Sequence, residues 1–332
     1  MIGRKKMSFF KDVKLKVLRK ISNWHHKMFS SGGKEVLFKA VAQAIPAYAM
    51  SVFKLLKGLC EDIQRAIAKF WWGSNQDKQA IHWSRWEKLS CAKSRWGLGF
   101  RDFTSFNQAM VAKQGWRLLQ FPDSLVSKLL QAKYYRNSSF LNAKEGSNPS
   151  FIWKSILWGR LVIKKRARWR IGNESNIQVY KDNWLPRLDT FKPISPPTLP
   201  METTVAKLIT EDSHWNEAKL KHHFFEEDTE AILKISLPPS HKEDSLLWHF
   251  DKREAYTVKS GYQVALKLKF PNQASSSASP PPQDGIICGL LTGLKKSKSS
   301  CGEHPKTFFQ QLKTCGKENV SKIQFAKDAA EV

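Results

Sequence analysis

The sequence predicts an α+β chain: a mostly helical N-terminal half, small β-hairpin or strand elements at about 168–182 and 245–260, and a disordered C-terminal tail. Three observations carry that prediction. Through the first 135 residues, apolar side chains recur every three or four positions, the period of a helix with one buried face. Near residue 168 the pattern turns to alternation, the period of a strand, broken by turn-forming Gly and Asn. All 13 Trp lie at or before Trp248, and residues 271–285 (PNQASSSASPPPQDG) are low-complexity, so core-building sequence stops before the chain does.

The elements follow in order. Over residues 8–29, Phe10, Val13, Val17, Ile21, Trp24 and Met28 form one stripe, with Lys11, Lys14, Arg19, Lys20 and Lys27 on the other faces. Ser30-Ser31-Gly32-Gly33 breaks that helix. A second helix carries Val36, Leu37, Ala40, Val41 and Ala44, and Pro46 ends or kinks it, because the residue before proline avoids the helical region. A third runs from about Leu59 to Trp72 through Ile63, Ile67 and Phe70, and a fourth spans about 105–120 with Ala109, Ala112, Trp116 and Leu119. Pro122-Asp123-Ser124 starts one more, with Leu125, Leu129 and Leu130. Arg168 to Ile171 and Ile177 to Tyr180 alternate around Gly172–Asn176, a hairpin signal. Five Pro between 186 and 200 mark a linker or wrapping loop, and a short helix is expected across 226–235. Leu246–Phe250 and Tyr256–Val258 read as two strands joined by a charged turn. Four regions result: a helical region over 1–135, a basic Trp-rich segment over 136–200, a third region over 201–270, and a tail over 271–332.

Charge narrows the function classes. The net charge is +26, and residues 1–200 hold 37 Lys/Arg against 12 Asp/Glu, whereas residues 201–250 hold 5 against 10. A basic, aromatic-rich block points to the phosphate backbone of RNA or DNA, bound without sequence preference through counterion release. The alternative is an ordinary Lys-rich surface. The five Cys (60, 91, 288, 301 and 315) contain no CxxC pair, which suits reduced intracellular thiols. A basic N-terminus without a long apolar run is no secretory signal, and no stretch of 18 apolar residues predicts a membrane span. An intracellular location, nuclear or cytoplasmic, is therefore expected.

The densest cationic cluster is Arg160, Lys164, Lys165, Arg166, Arg168 and Arg170, interleaved with Trp158 and Trp169. Cations with nearby indoles suit phosphate contacts plus base stacking. A solvated helix end with tryptophans in the core fits the same residues. Lys11, Lys14 and Lys20 of the first helix and Lys34 of the second complete the candidate nucleic-acid set. The acidic group Glu226, Glu227, Asp228 and Glu230 could suggest a metal, but acidic residues in a helix's first turn are ordinary there, favoured by the helix dipole. Gly32-Gly33-Lys34 lacks the spacing of a phosphate loop and reads as a helix start. His25-His26 and His222-His223 are adjacent pairs, poor co-ligands on a helix, and His214, His241 and His249 lack partners at zinc-site spacing. No metal, cofactor or catalytic residue is expected.

Several strings, taken together, resemble one family. They are GGKEVLFKAVAQAIPAYAMSVFKL (32–55), IQRAIAKFWWG (63–73), HWSRWEKL (82–89), GLGFRDFTSFNQAMVAKQGWRLL (97–119), SNPSFIWKSILWGR (147–160), RWRIGNESNIQVYKDNWLP (168–186) and LLWHFDKREAYTVKSGY (246–262). From about residue 4 to 265, their order and spacing resemble plant LINE-type (non-LTR) retrotransposon reverse transcriptases and ribonuclease H-like proteins. The matching region follows the polymerase core and leads into the reverse transcriptase zinc-binding domain. The resemblance implies that 1–135 is thumb-like and that 201–270 begins a degenerate zinc-binding-type region. It also implies that the helices grip a template–primer duplex by its phosphates, and that apolar faces normally packed on a palm domain stay exposed.

The departures matter as much. Arg95-Trp96 stands where the family usually has a glycine pair, and Lys252-Arg253-Glu254-Ala255 replaces a turn usually built on Asn-Gly. The polymerase needs clustered aspartates, including an adjacent pair, to hold two Mg²⁺ ions, and this sequence contains no Asp-Asp. The resemblance implies that this pair lies upstream of Met1 and that any ribonuclease H carboxylates lie beyond the chain's end. Past VKSGY the family continues into a segment like PEKIKIFVWRA and a Cys-rich zinc knuckle. Codons permitted for Gly293 to His304 yield that segment when read from their third base, and those for Leu312 to Ala326 yield ENLWKRKCVKNPIC in the same frame, with QRC from the codons that follow. Residues from about 284 onward are therefore expected to be out of frame, with no zinc bound by Cys288, Cys301 and Cys315. The resulting expectation is a non-catalytic fragment with residual nucleic-acid binding. A retained protein–protein module, or a product without function, is the alternative.

Overall fold

The first apolar stripe decides where the first helix lies. In the computed structural model, α1 spans Ile2–Ser22, and Phe10, Val13, Val17 and Ile21 are buried along one side. They meet Ile63, Ile67 and Phe70 of α4 (Lys57–Trp72) in one hydrophobic cluster. Each such side chain contributes about 1.5–3 kcal/mol by leaving water. The helix stops sooner than the stripe predicts: Met28 is exposed, and its N–H donates to the His25 carbonyl in a turn beyond the helix. The structure describes residues 2–270 except 26–27, 74–79, 92, 94–96, 173–175, 188–189, 238–242 and 252, and of residues 2–7 the backbone alone. The expectations for 271–332, including the frame change, and those for His26, His241, Arg95, Trp96 and Lys252 lie outside these residues.

Among the described residues the architecture is α+β, with eleven α-helices and one two-stranded antiparallel sheet. Helix α2 (Ser31–Leu37) starts where Ser30 accepts the Gly33 N–H, and it runs on as one π turn over Phe38–Ala42. The buried side of this stretch differs from the predicted stripe. Val36 is exposed, whereas Phe38 and Ala42 are fully buried. Phe38 sits among Trp24, Phe70 and Phe100, with centroids 6.0, 5.6 and 5.7 Å away. Edge-on aromatic packing at such spacing outweighs an aliphatic stripe of small residues. Pro46 ends this stretch and precedes α3 (Ala47–Val52). Gly73, at φ 80°, closes α4 in the left-handed conformation a helix C-terminus favours.

Helices α5 (Trp86–Ser90), α6 (Phe103–Gln120) and α7 (Leu125–Tyr134) follow, then α8 (Phe151–Arg166). Asp102, Ser124 and Ser150 cap α6, α7 and α8 by accepting N–H groups three residues on. Helix α8 crosses α6 closely because Gly159 has no side chain: a Cβ there would stand 2.6 Å from the Ala112 nitrogen. A second cluster forms around this crossing from Trp116, Trp153, Val162, Ile163, Trp248 and Tyr256.

The strands pair differently from the prediction. β1 (Ala167–Arg170) and β2 (Ser245–Trp248) join each other, with Ala167 opposite Trp248 and Arg170 opposite Ser245. The second arm of the predicted hairpin makes instead an isolated bridge, Gln178 to Thr204, and frames a third cluster of Ile171, Val179, Trp184, Leu208, Leu220 and Ile232. Thr257 is no strand residue but the cap of α11 (Val258–Lys269). Packing explains both changes. Trp248 and Tyr256 both pack on Trp116, at 6.0 and 6.1 Å, and this draws β2 onto α6 rather than into a local hairpin. Glu254 takes up the turn at φ 57°, a left-handed conformation that Asn or Gly would favour. Helices α9 (Glu217–His223) and α10 (Glu226–Leu233) complete the third cluster.

Candidate nucleic-acid interface

Helix α8 is the centre of the candidate site. Its Trp153, Ile156, Gly159, Val162 and Ile163 are buried at three- and four-residue steps, so its remaining faces carry what can meet a ligand. Trp158, Leu161, Lys164 and Lys165 line a groove of about 470 Å³ together with Thr104, Ser105 and Gln108 of α6 and Leu268 and Lys269 of α11. Gln108 Nε2 donates to the Trp158 carbonyl at 3.2 Å, tying the two walls. The Lys54 ammonium lies over the Trp158 ring, 4.9 Å from its centroid, while the Lys54 N–H donates to Ser155 Oγ at 2.9 Å. Lys269 is paired with Asp102 at 2.7 Å, whose backbone N–H donates to the Tyr262 hydroxyl. Burial lowers the Lys164 pKa, with the charge of Arg160 adding to it.

The cationic cluster read from the sequence is divided by the fold. Lys164 and Lys165 reach the groove beside Trp158. Arg160 does not: its Nη1 donates to the Phe140 and Ala143 carbonyls at 2.9 and 2.6 Å, and burial lowers its pKa. It clamps the turn before α8. The Arg166 guanidinium stands 5.8 and 5.3 Å from the Phe191 and Phe250 rings. Arg168 is half-buried, its pKa lowered by burial and by Arg170, and Arg170 pairs with Glu254. Trp169 packs against the third cluster, away from Trp158's groove. On the N-terminal helices, Lys11 and Lys20 are exposed, Lys14 pairs with Asp62, and Lys34 lies 5.7 Å from the Phe70 centroid with its pKa lowered by burial. None of these four lines the groove.

Lys54, Gln108, Ser105 and Lys269 were not legible as site residues. Ser105 and Gln108 of α6 and Lys269 of α11 are brought to α8 by the helix crossing, and Lys54, just after α3, reaches the Trp158 ring from outside the groove. Sequence holds a signal only for α8's share, where Trp158, Leu161 and Lys165 fall on one helical face.

The acidic group on α10 folds into a structural role. Asp228 is fully buried and accepts from the Ile194 and Ser195 N–H groups at 2.9 and 2.8 Å and from the Ser195 hydroxyl. Arg187 Nη2 lies 2.9 Å from its other oxygen. Among the described residues, no group of three or more His, Cys, Asp or Glu is placed to hold a metal ion. The His222 and His223 rings touch edge-on, 4.8 Å apart, and His223 Nδ1 meets Thr198 Oγ1 at 3.0 Å. His249, near Arg166 and Arg168, has its pKa lowered, first by burial and then by those charges. Cys60 is a buried thiol whose pKa burial pushes up to about 12, so it is unreactive. No helix among the described residues is long and apolar enough to cross a membrane.

No family model matches the chain. It is 41% identical over 143 residues, 43% of its length, to the Uncharacterized mitochondrial protein AtMg00310 of Arabidopsis thaliana, of which it covers 93%. It is 30% identical over 278 residues, 80% of its length, to the Putative ribonuclease H protein At1g65750 of the same plant. The chain spans 44% of that second relative's length.

Proposed function

The chain belongs to the family of the mitochondrial protein AtMg00310 of Arabidopsis thaliana, and on that premise we propose that it is a non-catalytic, retroelement-derived segment that binds RNA or DNA without sequence preference. Its origin on this reading is a LINE-type reverse transcriptase polyprotein, in the region beyond the polymerase core. The ordered strings from residue 32 to 262 support that origin, as does the similarity over 278 residues to the Putative ribonuclease H protein At1g65750. The missing Asp-Asp pair supports a non-catalytic role, because two-metal phosphoryl chemistry depends on clustered carboxylates.

One observation carries the binding: Lys164 and Lys165 line a groove with Trp158, and the described lining residues include no carboxylate, while Lys269 on the same groove is held by Asp102. Cations held at a concave aromatic surface attract a phosphate backbone and release its counterions. The test is a salt titration of the full chain against labelled RNA and DNA oligonucleotides. Affinity is expected to fall linearly on a log–log plot, by about 0.7 per phosphate neutralised on a single strand and about 0.9 on a duplex. Absence of binding at low salt would exclude this reading.

A second reading, a protein–protein module without a nucleic-acid role, is favoured by α7. Leu125, Val126 and Leu129 are all exposed there, with exposed Phe121 at the end of α6 just before it. That reading predicts no measurable oligonucleotide affinity in the same titration.

A further inference from the structure

We infer that the groove beside Trp158 takes an unpaired base, stacked on the indole, so that the chain prefers single-stranded nucleic acid to duplex. This rests on the nucleic-acid reading above and adds strandedness to it. The groove's floor is Trp158, Leu161 and Leu268, and Leu161 is 52% exposed to it and to solvent. A duplex presents phosphates and base edges, which gain nothing from an apolar floor. A single strand presents flat π faces, which do. The volume, about 470 Å³, lies within the range of roughly 300–1,000 Å³ typical of small-molecule sites. One nucleotide is matter of that size.

The walls fit the rest of a nucleotide. Ser105 lines the groove while almost wholly buried, and its hydroxyl has no partner among the described residues. That hydroxyl oxygen is itself shielded from the groove, so polar contact with a nucleotide falls to its neighbours on the wall. Thr104 and Gln108 add polar groups on the same wall. Lys164 and Lys165, both exposed, stand one turn beyond Leu161, where phosphates flanking a stacked base would pass. Lys54 is not among the lining residues, yet it lies over the Trp158 ring, so it covers the indole from outside the groove. The Lys54 cation polarises the indole, and the groove's apolar lining beside it is where one base would stack.

The experiment measures anisotropy of a labelled single strand of about 12 nucleotides, and of the matching duplex, with the full chain at low salt. The wild type is expected to bind the single strand more tightly. Trp158→Leu is expected to weaken single-strand binding about ten-fold and duplex binding far less, so that the single-strand to duplex ratio falls, and Trp158→Phe to restore most of the loss. Leu161→Ser alters the exposed apolar lining without touching the core or adding charge and is expected to act in the same direction, so the test does not depend on one variant folding. A single-strand to duplex ratio unmoved by Trp158→Leu and Leu161→Ser would overturn the groove's role while leaving backbone binding intact. Failure of the wild type to bind either strand would overturn both.

Discussion

At the scale of single residues, burial decides between roles that the sequence left open. Asp228 belonged by sequence to an acidic helix start, and so it does, but it also accepts three hydrogen bonds and an arginine with no exposure to solvent. Charge strings in a sequence do not reveal this, because the partners, Arg187 and Ser195, lie on a separate loop. Removing one side of a buried pair leaves the other side uncompensated. Asp228→Ala is therefore expected to cost about 3–5 kcal/mol, measured by urea unfolding, while Glu227→Ala beside it, exposed and 3.9 Å from the same guanidinium, should change stability by less than about 0.5 kcal/mol. Equal effects from the two variants would show that the Asp228 network is not a hub. Arg160 and Arg170 follow the same logic. Both read as phosphate contacts by composition; Arg160 is engaged by two carbonyls, whereas Arg170 pairs with Glu254 at the surface.

At the scale of elements, what was legible depended on whether the signal is local. Helices α1, α4, α6 and α7 were readable because a helix buries its own periodic face or announces its own cap, as Ser124 does, whereas the Asp102 cap that starts α6 at Phe103 was missed. The sheet was not, because β1 and β2 are separated by the whole third cluster, and alternation says that a strand exists but not with what it pairs. Nor was α8 readable as the centre of the site: its own faces are periodic, but the partners they meet on α6 and α11 lie far away in sequence. Its position depends on one glycine. The Cβ of an alanine at 159 would meet the Ala112 nitrogen at 2.6 Å and its Cα at 2.9 Å, both backbone atoms that cannot rotate away. Gly159→Ala is expected to force α8 off α6 and to cost about 1–3 kcal/mol, even though alanine is the better helix former by about 1 kcal/mol. Gly58→Ala in α4, where an added Cβ meets nothing within 4 Å, is the control and should gain stability. A stabilised Gly159→Ala in thermal melts would show that the α6–α8 crossing is looser than this. Since the groove lies between those two helices and α11, the same variant should also weaken single-strand binding.

At the scale of the whole molecule, fold and proposed function pull in opposite directions through one quantity, the net charge of +26. The charge gathers phosphates, and it also repels itself across a folded chain whose residues 1–200 carry 37 cations and 12 anions. The ion pairs that the fold does make, such as Lys39 and Lys93 with Glu35 and Lys14 with Asp62, neutralise a minority of these cations. Glu35 shows the balance locally: burial would raise its pKa, and the two lysines together lower it. Added salt screens repulsion between exposed charges beyond about 8–10 Å and scarcely touches packed cores such as that around Trp153. Raising NaCl from about 20 to about 200 mM should therefore raise the melting temperature by a few degrees, over the range in which oligonucleotide affinity falls. The two slopes have opposite signs because one process relieves like-charge repulsion and the other loses counterion release. A melting temperature that stays flat or falls with salt would mean that the lysines are too dispersed to repel one another strongly. In that case the concentration of positive potential at the Trp158 groove would also be weaker than Lys164 and Lys165 suggest.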